Sequence, residues 1–414
     1  MPQRAVPKMI AFVLVRAFAS VLVLSPSAQA NAQQVCPGPR TVFDYDDPAV
    51  ATNDRRLWAE ADRILRLPDK AQALEIAHVY RDILSVLHPR MYPLANWHLA
   101  PPGRLNDLKS RPRRSVSGPY NSMYAQQVSL AMLAAHPTEA QPLIQIDLTS
   151  SNPETLERGL FVARHMTEAR FPDLYDDLKR VFLSDRECSD TALGSLLNYA
   201  GLPRVSSADE RRGRVHELTP VLAARFQRDP GRYASYLGTL LAVGPAPAQV
   251  LTALQSDDAT VRQYASHAVI ASTDPRLAPY VRRMLADANP YVRLNGFSIG
   301  FRGVRRRDAA YNDIKPALDT LMRDPDWRVR LDVLETFAFA GDQACVPVLF
   351  DLLSMWAAGD RTIPDEDFRQ VAILVESITR QTFGFGDGKL PARQDPANRL
   401  AIGKFSNWVK AQKH

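Results

Sequence analysis

The segments DDATVRQYASHAV (257–269), DANPYVRLNGFSI (287–299) and DPDWRVRLDVLET (324–336) repeat one local pattern within this 414-residue chain. In each segment an Asp or Asn stands three positions before a Val-Arg pair. Such side chains accept hydrogen bonds from the unpaired amides of a first helical turn. The three pairs are Val261-Arg262, Val292-Arg293 and Val329-Arg330. The same local sequence therefore predicts the start of a helix three times.

A longer ladder of helix-start residues runs through most of the chain. Its members are Asn121, Asn152, Asp190, Asp229, Asp258, Asn289, Asp326 and Asp365, at spacings of 31, 38, 39, 29, 31, 37 and 39 positions. A period in this range indicates stacked helical pairs, because no single pair can bury its apolar stripe alone. The sequence predicts an all-α fold, an α-solenoid or superhelix of antiparallel helix pairs with a capping unit at each end.

A proline with apolar neighbours marks the second helix of each pair. Pro279 stands eighteen positions after Val261, Pro347 stands eighteen after Val329, and the middle unit has Pro316. Together with the three segments above, these residues resemble the HEAT family, in the short bacterial form related to the HEAT-like repeats of phycobilisome lyases. The resemblance implies a curved solenoid whose concave face holds another macromolecule, and it supplies no catalytic residues.

The repeats do not account for the whole chain. We predict a signal peptide at 1–30, an extended leader at 31–52, an N-terminal helical pair at 53–88, a Pro/Arg-rich loop at 89–120, HEAT-like repeats at 121–363 and a C-terminal capping unit at 364–414. In the last unit, a glycine-dependent turn at 383–389 is expected to fold a final helix that carries Leu400, Phe405 and Trp408 inward.

The beginning of the chain indicates export. Arg4 and Lys8 precede an apolar run from Met9 to Leu24, and the small residues at 28–30 fit a cleavage site. We therefore expect an exported protein, periplasmic or extracellular, that does not span the membrane. Beyond residue 30 the chain has 48 basic and 45 acidic residues. This net charge of +3 gives little support for a nucleic-acid partner.

The chain has three cysteines. Cys345 occupies an apolar position of the repeat and is expected to be a small buried hydrophobe. We hypothesise that Cys36 and Cys188 form a disulfide, because disulfides persist in exported proteins.

Linear motifs for catalysis or metal binding are missing from the sequence. There is no H-E-x-x-H, G-x-S-x-G, C-x-x-C or phosphate-binding glycine loop, so we predict no catalytic residue, no metal ligand and no cofactor. Two arginine clusters remain as candidates for binding a partner: Arg111, Arg113 and Arg114 in the Pro/Arg-rich loop, and Arg305, Arg306 and Arg307 at an insertion. The simpler interpretation of the second cluster is a solvated surface network with Asp308 and Asp313.

The expected function is a non-catalytic scaffold that binds another protein through the concave face. Two alternatives stay open. One is an envelope enzyme whose groups converge on the concave face from distant repeats. The other is a module that binds an anionic glycan or lipid headgroup through the arginine clusters. Acids and histidines that cluster in one deep pocket would favour the enzyme, and a broad groove would favour the scaffold.

Overall fold

The computed structural model describes residues 48–85, 120–166, 174–184, 192–197, 208–242, 244–361 and 363–412. Within these ranges every regular element is a helix and no strand is present, which confirms the all-α prediction. The predicted signal peptide, most of the leader and the Pro/Arg-rich loop up to residue 119 lie outside the described residues. The same is true of Cys36 and Cys188.

The described chain divides into two compact units, one ending at Leu218 and the other beginning at Thr219. The α-helices that begin in the first unit are α1 Pro48–Leu65, α2 Asp69–His78, α3 Tyr120–Ala135, α4 Pro137–Thr149, α5 Pro153–Met166, α6 Tyr175–Leu183, α7 192–197 and α8 Ala208–Arg228. Those of the second are α9 Pro230–Leu241, α10 Ala248–Ala253, α11 Ala259–Val269, α12 Ala278–Leu285, α13 Pro290–Arg305, α14 Lys315–Thr320, α15 Trp327–Phe339, α16 Cys345–Ala357, α17 Phe368–Thr379 and α18 Pro396–Ala411.

The first unit is held together by a buried network of a tyrosine, an aspartate and an arginine. After α2 the chain continues as a π-helical turn at Val79–Leu84, and this turn carries Tyr80. The Tyr80 hydroxyl donates to Asp147 Oδ2 at 2.8 Å, and Arg158 donates to both oxygens of the same carboxylate at 2.6 and 3.0 Å. Charge-assisted bonds of this kind are strong, and here they join α4 to α5 and to the end of α2.

One boundary predicted for this unit is wrong. Asn53 was expected to start a helix but lies inside α1, which begins at Pro48, so the end of the predicted leader is helical. On α2 the side chain of Leu74 is 86% exposed. Gln72 takes the buried position on α2 because its amide donates to the Leu65 carbonyl at 2.6 Å. A residue two positions further on a helix points to nearly the opposite side.

The helix-start ladder is confirmed at its central members. The side chains that accept from first-turn amides belong to Asn152, Asp229, Asp258, Asn289 and Asp326. The ends of the ladder differ from the prediction. Asn121 lies inside α3 because that helix begins at Tyr120. Asp365 does not cap α17, because that helix begins at Phe368 and its N-cap position is Asp367; the Asp365 carboxylate accepts from Arg393 at 2.8 Å. Asp190 lies outside the described residues.

In the second unit the first helices of consecutive pairs pack against one another. α9 packs on α11, α11 on α13, α13 on α15, and α15 on α17. The shorter second helices lie beside them, with α12 and α14 against α13 and with α16 against α15 and α17. Glycine allows α13 to lie close to α12, since a Cβ at Gly296 would lie 2.7 Å from Met284 Cβ.

A ladder of arginine–aspartate pairs ties neighbouring helix pairs together. Arg262 donates to both carboxylate oxygens of Asp287 at 2.7 and 3.1 Å, and Arg293 donates to those of Asp324 at 2.7 and 2.6 Å. Each aspartate precedes the first helix of the next pair, so an ion pair links consecutive repeats at both places. Burial alone would raise the pKa of Asp287, but hydrogen bonds from Arg262 and the Asn289 amide lower it.

Within the described residues, the ladder of ion pairs stops at Arg330. Arg330 Nη1 donates to the Asp324 carbonyl at 2.6 Å, and the guanidinium lies 5.4 Å from the centre of the Trp327 ring. Arg262 and Arg293 donate to the equivalent carbonyls, so the aromatic face of Trp327 is what stands in the place of the carboxylate at Arg330. In the described part of the chain, Arg330 Nε is buried without a hydrogen-bond partner.

An aromatic cluster attaches α18 to the rest of the second unit. Phe405 is fully buried, and its ring lies 5.3 Å from that of Phe383 and 6.2 Å from that of Trp408. The glycine-dependent turn is confirmed, since Gly384 has a φ of 84°. Trp408 is only half-buried. Leu400 was expected to face inward and is 65% exposed, because it lies on the side of α18 away from the cluster.

Candidate functional site

A groove of about 790 Å³ opens beside α10 in the second unit. Because α10 has only six residues, it covers less of its neighbours than a longer second helix would. The end of α8, the first residue of α9, one side of α10 and the segment from there into α11 supply the lining. It includes Phe226, Gln227, Gln249, Thr252, Gln255 and Val261.

The groove has an apolar floor and a polar rim with one charged side chain. Phe226 is buried and Val261 is half-buried, whereas Gln227, Thr252 and Gln255 are exposed. Among the described lining residues, Asp257 alone has an ionisable side chain. Each glutamine amide offers donors and an acceptor, so the rim can pair with the N–H and C=O groups of a peptide main chain.

The arginine–aspartate ladder also positions one wall of this groove. Arg262 Nη1 donates to the carbonyls of Ser256 and Asp257, both at 2.9 Å, which fixes the backbone between α10 and α11. From the next helix, Arg283 Nη1 donates to Gln255 Oε1 at 3.2 Å. The wall is therefore held by side chains that belong to the repeat.

A smaller cleft of about 200 Å³ lies between α13, α14 and α15. The rings of Phe301 and Phe337 meet in it at 5.5 Å. Arg305 lies 5.9 Å from the centre of the Phe301 ring, and Lys315 Nζ lies 5.7 Å from that of Phe337. A hydrogen bond from Lys315 to Asp319 at 3.0 Å raises the pKa of the lysine. The cleft is thus aromatic with a cation on each side.

The predicted cluster Arg305–Arg307 lies at the end of α13 and is exposed. The helix ends in a Schellman motif, in which the Asp308 amide donates to the Gly303 carbonyl at 3.1 Å. Arg307 adopts the left-handed conformation that this motif requires, with a φ of 57°. The Asp308 side chain accepts from the Ala310 amide at 3.0 Å and starts the next helical turn.

The structure does not support the interpretation of this cluster as a network with nearby acids. Asp308 caps its own turn, and Asp313 pairs with Arg282. Neither acid makes an ion pair with Arg305–Arg307 in the described ranges. The other predicted cluster, Arg111, Arg113 and Arg114, lies outside those ranges, as does the predicted disulfide of Cys36 with Cys188.

The histidines and the cysteine of the described core show the signs of structural roles. Burial, with a smaller contribution from Arg164, lowers the pKa of His165 to about 4. His267 lies 3.2 Å from the Ser235 hydroxyl, and burial lowers its pKa. Cys345 is buried, as predicted, and burial raises its thiol pKa to about 12.

Across the described residues, no three His, Cys, Asp or Glu side chains are grouped closely enough to hold a metal ion. None of the described helices is both long and apolar enough to cross a bilayer.

One buried carboxylate was missed by sequence reasoning. Asp332 is half-buried on α15, and burial together with the charge of Glu335 raises its pKa to about 6. In the repeat register Asp332 corresponds to Asn295, whose side-chain amide donates to the Ser266 hydroxyl at 2.8 Å. Superposing the repeats could therefore have identified Asp332, because it places a charged residue at a position that faces another helix.

Comparison with known proteins adds little to this description. No family model matches the chain, and no curated protein matches it. Among solved structures, an engineered protein from the Northeast Structural Genomics Consortium is similar at 16% identity, with 89% of this chain and 97% of that chain covered and a TM-score of 0.32. A TM-score this low establishes neither a shared fold nor a function.

Proposed function

We propose that this chain is an exported HEAT-like repeat protein, a non-catalytic scaffold of the bacterial periplasm or envelope that binds an extended segment of another protein beside α10. The succession of α9, α11, α13, α15 and α17 supports a solenoid. The register of the ion pairs Arg262–Asp287 and Arg293–Asp324 supports it as well, because only structure has to repeat from unit to unit.

The residues that line the groove are the main support for a binding role. An extended segment presents main-chain N–H and C=O groups at regular intervals, and Gln227, Gln249 and Gln255 can pair with them whatever the sequence of the segment. The apolar floor at Phe226 can take one side chain of the ligand. Apolar grooves with a few placed polar groups are typical binding sites.

Site-specific photo-cross-linking tests this proposal. A photoreactive residue replaces Thr252, which is exposed in the groove, or Thr239, which is exposed on α9 and does not line it. In intact cells, position 252 is expected to yield an adduct with one protein, whose cross-linked segment is then made as a peptide. Thr252→Arg should weaken binding of that peptide by about tenfold or more, roughly 1.4 kcal/mol, whereas Thr239→Arg should not.

Two results would count against the groove. The first is the formation of the same adducts from positions 252 and 239, because this would show that the cross-linking is non-specific. The other is a peptide affinity that Thr252→Arg leaves unchanged.

A further inference from the structure

The smaller cleft between α13, α14 and α15 is separate from the groove beside α10, since the two share no lining residue. α13 has 16 residues, whereas the neighbouring first helices α11 and α15 have 11 and 13. All three helices start in the same register, so the last turn of α13 runs past the ends of both neighbours. That turn supplies Val304 and Arg305 to the cleft. A wall that does not recur from unit to unit is not required by a stack of repeats.

The walls of the cleft are apolar and held in place. The half-buried ring of Phe301 lies 5.5 Å from the rings of both Phe297 and Phe337, which are buried. Leu318 and Ala340 also line the cleft. Rings that are packed against one another keep their places, so a ligand would meet a preformed surface and lose less free energy on binding.

The two cations of the lining differ in their partners. Lys315 donates to both oxygens of Asp319 at 3.0 and 3.1 Å and lies 3.7 Å from Asp342 Oδ2, so carboxylates already balance its charge. Arg305 is exposed. In the described part of the chain it contacts the ring of Phe301 and no carboxylate. The positive charge of Arg305 is therefore available to a ligand.

The cleft has room for one side chain. Its volume of about 200 Å³ is below the ~300 Å³ at which sites for drug-sized ligands begin. The Arg305 guanidinium lies 5.9 Å from the centre of the Phe301 ring, so one residue can reach both the charge and the apolar wall. A matching ligand has an apolar group and a carboxylate close together.

We propose that this cleft binds the C-terminal residue of a partner polypeptide, with its apolar side chain against Phe301 and Phe337 and its carboxylate on Arg305. A C-terminal residue carries both groups on one Cα atom, whereas an aspartate or glutamate within a chain has its charge in place of an apolar side chain. A guanidinium can donate two parallel hydrogen bonds to a carboxylate, as Arg262 and Arg293 do between the repeats. Capture of a terminal carboxylate is an established mode of peptide recognition.

The first test titrates the full chain with N-acetylphenylalanine and follows binding by ligand-observed NMR. The primary amide of this compound lacks the charge, and N-acetylglycine lacks the apolar group. Each should bind about tenfold more weakly or worse, because a charge-assisted hydrogen bond and a buried side chain are each worth at least that factor. Equal binding of the acid and the amide would overturn the proposal, and so would a wild type that binds none of the three.

A pair of neighbouring arginines supplies the matched variants. Arg305→Gln should weaken binding of N-acetylphenylalanine by about tenfold or more. Arg306→Gln should bind like the wild type, because Arg306 is equally an exposed arginine at the end of α13 but does not line the cleft. Both substitutions are at exposed positions, so the melting temperature should change little. Unchanged binding by Arg305→Gln would refute the site, as would equal losses in the two variants, which would indicate a general response to positive charge.

A four-residue peptide that ends in phenylalanine distinguishes a chain end from a small free acid. With a free carboxylate it should bind at least as tightly as N-acetylphenylalanine, and Arg305→Gln or amidation of the peptide should remove most of this binding. Binding of N-acetylphenylalanine without binding of the peptide would assign a small carboxylic acid and contradict a polypeptide partner. Since the cleft and the groove share no residue, the cross-linking experiment can fail while this site stands, and the reverse.

Discussion

Arg293 and Asp324 form a two-bond ion pair between consecutive helix pairs, with Nε–Oδ2 and Nη2–Oδ1 distances of 2.7 and 2.6 Å. The Asp324 side chain is 1% exposed and also accepts from the Asp326 amide at 2.8 Å. The buried Asp324 carboxylate therefore fixes the backbone just before α15 and also holds α13 against that segment.

Replacing this carboxylate is expected to destabilise the protein strongly. Asp324→Asn leaves the Arg293 guanidinium buried without an opposite charge, which should lower the free energy of unfolding by about 3 kcal/mol. Urea denaturation measures the change. Asp319→Asn, at the exposed pair with Lys315, is the control and should cost less than about 1 kcal/mol. Equal losses in the two variants would show that burial of the pair does not matter.

Asp332 is expected to make stability depend on pH. Its folded pKa of about 6 lies above the unfolded value of about 3.9. The contribution of Asp332 to stability is therefore fully present below about pH 4 and is lost as the pH rises through about 6. Asp332→Asn should stabilise the protein by about 1 to 2 kcal/mol above about pH 7 and have little effect near pH 4.

Thermal melts at the two pH values measure this difference, and Asn295 in the preceding repeat shows that the fold accepts an amide at the equivalent position. A gain in melting temperature of the same size at both pH values would contradict the assignment. Asp319→Asn serves again as the exposed control.

Arg307→Gly is expected to stabilise the protein. The left-handed backbone with its φ of 57° costs an arginine roughly 1 to 2 kcal/mol, and part of the gain is offset because glycine is more flexible in the unfolded chain. A net increase of about 0.5 to 1 kcal/mol should remain. Arg305→Gly, two positions earlier at the last residue of α13, should instead destabilise by up to about 1 kcal/mol. Denaturation midpoints of both variants check the opposite signs.

The aromatic cluster under α18 predicts a graded response to truncation. Phe405 is fully buried, so Phe405→Ala should cost about 3 to 5 kcal/mol. Trp408 is half-buried, and Trp408→Ala should cost roughly half as much, since less of the ring leaves water on folding. The exposed Leu400 is the control, and Leu400→Ala should change the melting temperature little. A larger effect at Leu400 than at Trp408 would refute the packing described for α18.

Local sequence was a good guide wherever a structural feature depends on a few neighbouring residues. Asp258 and Asn289 were identified as caps because a cap needs only its own side chain and the next amides. The same reasoning failed at Asp365, because α17 begins at Phe368 and the Asp365 carboxylate pairs with the distant Arg393. Helical periodicity did not show that Gln72 takes the buried face of α2, where its side chain also lies 3.1 Å from that of His136, between α3 and α4. Contacts between residues far apart in the chain contribute in both cases.

The candidate sites were likewise predictable only where they depend on residues close together in the sequence. The arginine run at 305–307 was visible in the sequence, but the contacts of Asp308 and Asp313 with other partners and the groove beside α10 were not. Caps, helical periodicity and the repeat register are encoded within a turn or two, where the interacting groups are fixed by covalent spacing. The pairing of charges depends on groups that packing brings together from distant parts of the chain. The same is true of the surface that a short helix leaves uncovered. Only the tertiary structure decides these features.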